Sequence, residues 1–107
     1  MELVVRIYRL TKELPSEEQF GLTSQMRRSV ISVPCNIAEG AARSSKKEYM
    51  QFLYISLGSL AEIETQIDIA ERLQYFHETK SLTEDILEIR KMLLGLIAFV
   101  ARKKPVK

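Results

Sequence analysis

Ser29-Val-Ile-Ser-Val-Pro-Cys-Asn-Ile-Ala-Glu-Gly40 is the stretch that decides the fold. It reads as helix, yet no charge falls between Arg28 and Glu39, and Pro34 stands in its middle. A surface helix normally carries one apolar stripe and one charged face. Here Met26, Val30, Val33 and Ile37 make one stripe, and Ile31, Cys35, Ala38 and Ala42 make a second beside it. Ser29, Ser32 and Asn36 remain as a thin polar line that ends in Glu39. A helix with so little solvated face expects neighbours on more than one side, its own bundle and a second subunit. Pro34 lacks an N–H and crowds the carbonyl of Val30, so a kink is expected that costs about 3 kcal/mol without tertiary support. Pro34, Asn36, Glu39 and Gly40 therefore read as packing and oligomer-interface residues rather than as chemistry.

Working outward, Leu3, Val4, Ile7 and Leu10 recur at helical spacing and predict a first helix over residues 2–13, ended by Pro15. Ser16 to Phe20 reads as one capped turn closed by Gly21. The central helix then spans 22–42, with Thr23 or Ser24 as its cap and Gly40 near its stop. Ser45-Lys46-Lys47-Glu48 has the form of a capping box and opens a third helix over 46–74. Its stripe is Tyr49, Phe52 or Leu53, Ser56, Leu60, Ile63, Ile67, Ala70 and Leu73. Gly58 and Ser59 interrupt it, which predicts close approach of another backbone and adds both to the packing or interface set. After a turn at 75–80, a second capping box at Ser81 to Glu84 opens a fourth helix over 82–104. With short connections and no linker, the 107 residues predict one all-α domain, an antiparallel up-down-up-down four-helix bundle.

Composition agrees with that class and narrows the function. Gly and Pro are scarce, Trp is absent, and 28% charged with 46% hydrophobic residues is ordinary for a globular protein. The single Cys35 has no internal disulfide partner and reads as a small buried residue. No uncharged run reaches the roughly 20 residues of a bilayer span, and no signal peptide is visible, so a cytoplasmic location and no membrane partner are expected. His77 is the only histidine, and it has no nucleophile beside it in sequence. There is no phosphate-binding glycine loop and no HExxH. Glu39, Glu62 and Glu88 lack the Glu-x-x-His pairs of di-iron bundles. The expectation is no enzyme, no metal and no cofactor.

The predicted topology sorts the charges. The end of helix two, the start of helix three and the end of helix four share a pole, which gathers Arg43, Lys46, Lys47, Arg102, Lys103, Lys104 and Lys107. Glu39 and Glu48 oppose them there, and most remaining acids lie at the other pole with Arg27 and Arg28 among them. Lysines after a helix end suit its dipole; Lys46 and Lys47 stand at a helix start, where that explanation fails. A basic end of this kind attracts a phosphate backbone without reading sequence.

The blocks Phe20-Gly-Leu-Thr-Ser-Gln-Met-Arg-Arg28, Val33-Pro-Cys-Asn-Ile-Ala-Glu-Gly40 and Ser45 to Gln66 closely resemble the bacterial 23S rRNA intervening-sequence protein family, a family of four-helix bundles. The resemblance covers nearly the whole chain. It implies a homo-oligomer, a ring-shaped pentamer in the members it is drawn from. Some members are encoded within large-subunit ribosomal RNA genes. A related branch, the accessory protein of diversity-generating retroelements, is a basic pentameric barrel that binds nucleic acid and a reverse transcriptase. The family has no established activity. Two departures stand out. Members carry a longer, aromatic-rich start to helix one, so helix one is expected to be truncated here, leaving a groove beside helices two and four. They also carry serine where Cys35 stands. The combined expectation is a non-enzymatic oligomer that offers RNA or DNA a basic surface. Its contact candidates are Arg27, Arg28, Arg43, Lys46 and Lys47, with Arg102, Lys103 and Lys104 secondary. The alternative is a scaffold that docks a protein partner and never touches nucleic acid.

Overall fold

In a computed structural model, residues 1–102 are described and fold into four helices: α1 (Glu2–Thr11), α2 (Leu22–Ala41), α3 (Lys46–Arg72) and α4 (Lys80–Arg102). A single 3-10 turn at Ser16–Glu18 lies between α1 and α2. The all-α four-helix bundle is as the periodicity predicts. Lys103 and Lys104 lie outside the described residues.

The helices form where sequence and solvent agree on a buried side. Leu3 and Ile7 of α1, Met26, Val30 and Val33 of α2, Leu60, Ile63 and Ile67 of α3, and Leu82 and Ile86 of α4 close one core. Leu53 of α3 with Leu93, Ile97 and Val100 of α4 forms a second, which Ile37 of α2 joins to the first. The division follows from length. At 1.5 Å per residue α1 spans only about 15 Å, against a long axis of 53 Å, so no α1 residue reaches the second core. One end is packed from four helices and the other from three.

Contacts along α2 and α3 run in opposite order. Ser29 meets Gln66, Ser32 meets Ser59, Val33 meets Ser56, and Gly40 meets Tyr49 and Phe52. At the far end Lys46 of α3 touches Ala101 of α4. Arg6 of α1 pairs with Asp85 and reaches Ser81 of α4. Pro34 does not end α2, which stays helical on both sides of it.

Several local expectations change. The cap of α2 comes from neither Thr23 nor Ser24: the helix opens at Leu22, whose N–H donates to the Glu18 carboxylate at 3.4 Å. The other oxygen of Glu18 accepts the Tyr75 hydroxyl at 3.1 Å, so one side chain closes a helix start and ties down a loop. α4 starts before Ser81, which therefore sits inside the helix and caps nothing. Ser45 does cap α3, accepting from the Glu48 N–H at 3.3 Å. Leu73, assigned to the core stripe, is 51% exposed. The segment assigned to a simple turn instead buries Phe76, and Thr79 beside it donates to Glu71 at 2.5 Å. Phe76 packs into the first core.

Candidate nucleic-acid interface

Arg43, Lys46, Lys47 and Arg102 are brought to one end of the molecule by the turn between α2 and α3 and by the close of α4. Each is held differently. Arg43 donates to Glu39 at 2.5 Å, one helical turn back, and lies 3.9 Å from the Glu48 carboxylate. Its guanidinium also sits 5.0 Å from the Phe52 ring centroid. The Glu39–Arg43 pair predicted from spacing is present, and it leaves Arg43 largely neutralised and pinned. Lys46 donates to the backbone carbonyl of Ala101 at 2.7 Å. A carbonyl in the last turn of a helix has no intrahelical donor, and a cation there is favoured by the helix dipole. The dipole of α4 therefore accounts for Lys46, although its own helix does not. Lys47 and Arg102 are exposed. Four cations thus face two carboxylates, and Lys47 with Arg102 carries the excess.

Arg27 and Arg28 are not part of this end. They lie in the first half of α2, about 22 Å of helix before Arg43. Arg27 is a clamp for α1: its Nε donates to Thr11 Oγ1 at 2.9 Å, and its guanidinium lies 4.8 Å from the Tyr8 ring. Arg28 is exposed on the outer face of α2.

The residues assigned to packing separate clearly. Gly40 is buried, and a Cβ there would come within 2.8 Å of Phe52 Cβ and 3.2 Å of the Tyr49 carbonyl. The close approach expected at Gly58 is therefore at Gly40. Gly58 is exposed, with nothing within 4 Å of where its Cβ would stand. Ser59 is buried and shares a 2.8 Å hydrogen bond with Ser32. Asn36 donates to both the carbonyl and the hydroxyl of Ser32 at 2.8 Å. Ser56 donates to the Val33 carbonyl at 2.8 Å. The thin polar line of α2 is thus a hydrogen-bonded seam against α3, which serine and asparagine suit because they are small.

The second apolar stripe of α2 is left exposed among the described residues. Ile31, Cys35, Ala38 and Ala42 are exposed, which corrects the buried reading of Cys35. Among the described residues no three His, Cys, Asp or Glu side chains are placed to hold a metal ion, and no helix is long and apolar enough to cross a membrane.

The family model described as 23S rRNA-intervening sequence protein matches residues 1–95. A comparison with curated proteins returns no match.

Proposed function

The chain belongs to the 23S rRNA-intervening sequence protein family, and from that premise we propose a non-enzymatic, cytoplasmic homo-oligomer that binds RNA or DNA through its basic end without reading sequence. The observation that carries the reading is the excess of exposed cations where α2 ends, α3 begins and α4 finishes. Lys47 and Arg102 are the contacts, with Arg43 positioned by Glu39 and Lys46 held by Ala101. Self-association is supported by the uncovered stripe of Ile31, Cys35, Ala38 and Ala42. Copies set side by side with parallel axes bring their basic ends together, multiplying phosphate contacts and hence affinity.

A protein-docking scaffold is the second reading, favoured by the large side chains at the surface, Phe20 at 90% and Tyr54 at 55% exposure. Gel shifts with generic RNA and DNA at low and high salt separate the two. Binding at low salt that weakens in Lys47→Glu/Arg102→Glu supports the nucleic-acid reading; no shift of the wild type at low salt favours the scaffold. Lys46 is kept in this variant, because its contact with Ala101 holds α3 to α4.

A further inference from the structure

The flanks of α1 differ in charge. On the α2 side, Val4, Val5, Tyr8 and Ile31 line an open groove with Arg9 and Lys12, and it continues past Tyr8 to Phe20, Arg27 and Arg28. No acid lines either part. On the α4 side, Leu3, Ile89 and Met92 line a groove with Glu2, Glu88 and Asp85, of which Asp85 is paired with Arg6. The apolar floors are open to solvent: Val5 is 40% exposed, Ile31 38% and Met92 69%. A solvated helix face mixes signs; these two grooves sort them, one helix width apart.

We propose that the basic α1–α2 groove receives the acidic α1–α4 edge of a second copy of this chain. Each copy carries both halves, so each gives and receives. The apolar floors supply area removed from water, and the flanking charges select register and partner. This rests on the self-association proposed above and adds to it the two surfaces that meet. The complementarity is what argues for a second copy: Arg9, Lys12, Arg27 and Arg28 line one groove and Glu2, Asp85 and Glu88 line the other, on the same molecule.

Charge exchange tests it. One variant carries Arg9→Glu, Lys12→Glu and Arg28→Glu; the other carries Glu2→Lys and Glu88→Lys. Asp85 and Arg27 are untouched, since they pair with Arg6 and Thr11. Sedimentation velocity of each variant alone, and of their equimolar mixture, reads the assembly; circular dichroism checks that each is folded. The expected result is that each alone falls to a smaller species and the mixture recovers the larger one, because a copy acidic in both grooves but for Arg27 now meets one basic in both but for Asp85. Wild-type protein gives a second reading independent of folding of the variants: its assembly should loosen as salt rises from about 0.05 M to about 1 M. Variants that keep the wild-type mass overturn the inference and leave self-association standing. A wild type that is monomeric at both salts removes both. If the triple variant keeps its mass but loses binding to single-stranded RNA, the groove belongs to nucleic acid and the inference is overturned.

Discussion

Gly40 and Gly58 sit in two helices of one bundle and should respond in opposite ways to the same substitution. In an open helix position alanine is favoured over glycine by about 1 kcal/mol. Gly58 is such a position, so Gly58→Ala should stabilise the fold by about 1 kcal/mol, read as a higher denaturation midpoint. At Gly40 the new methyl would meet the Cβ of Phe52 at 2.8 Å and the backbone of Tyr49 at 3.2 Å, neither of which moves freely. Overpacking of this kind costs about 1–3 kcal/mol, which outweighs the helix preference. Gly40→Ala should therefore lower the midpoint in chemical denaturation. A second residue-scale effect belongs to Tyr75. Its hydrogen bond to Glu18, with partial burial and the charges of Glu18 and Glu17, pushes the phenol above its ordinary range near 10. Folding thus favours the protonated phenol, whose contribution is complete below the unfolded value and is lost as pH rises through the folded one. The wild type should lose stability above about pH 10, and Tyr75→Phe should lose less over that window.

At the scale of elements, what the periodicity revealed and what it missed have physical causes. The stripes of α1, α2 and α4 were legible because amphipathic spacing reports burial directly, and Ser45 was legible because a cap acts within four residues. The start of α2 uses Glu18, four residues before Leu22 and outside the cap residues expected, while the loop after α3 is set by contacts distant in sequence, Tyr75 with Glu18 and Phe76 with the first core. Gly40 and Gly58 both read as packing positions, yet only Gly40 meets close neighbours, because spacing shows no neighbour at either. The close of α3 yields a prediction of its own. Gln74 has φ 64°, and the N–H groups of Gln74 and Tyr75 return to the carbonyls of Glu71 and Ala70, each at 2.9 Å. This is a Schellman end with glutamine where glycine is usual. A side chain in the left-handed region costs about 1–2 kcal/mol. Gln74→Gly should recover about 1 kcal/mol, read as a higher midpoint in thermal or urea unfolding.

At the scale of the molecule, the two ends are packed differently. Four helices pack one end and three the other, and among the described residues α2 carries an exposed apolar stripe. The stretch from Ser29 to Gly40 therefore has one face hydrogen-bonded to α3 and another turned outward. The basic end was legible once the topology placed helix termini together, but the division of labour within it was not. The i,i+4 spacing shows the Glu39–Arg43 pair, but sequence alone does not show that Lys46 is held by the α4 carbonyl or that Glu48 also faces Arg43. Those contacts leave Lys47 and Arg102 as the exposed surplus and move Arg27 from contact candidate to clamp. The most direct test is the salt dependence of RNA affinity, measured by fluorescence anisotropy for the wild type and for Lys47→Glu/Arg102→Glu. Counterion release makes the logarithm of affinity fall linearly with the logarithm of salt, with a slope set by the number of phosphates neutralised. The account predicts a steep negative slope for the wild type and a shallower one with weaker binding for the variant; equal slopes and equal affinities would contradict it.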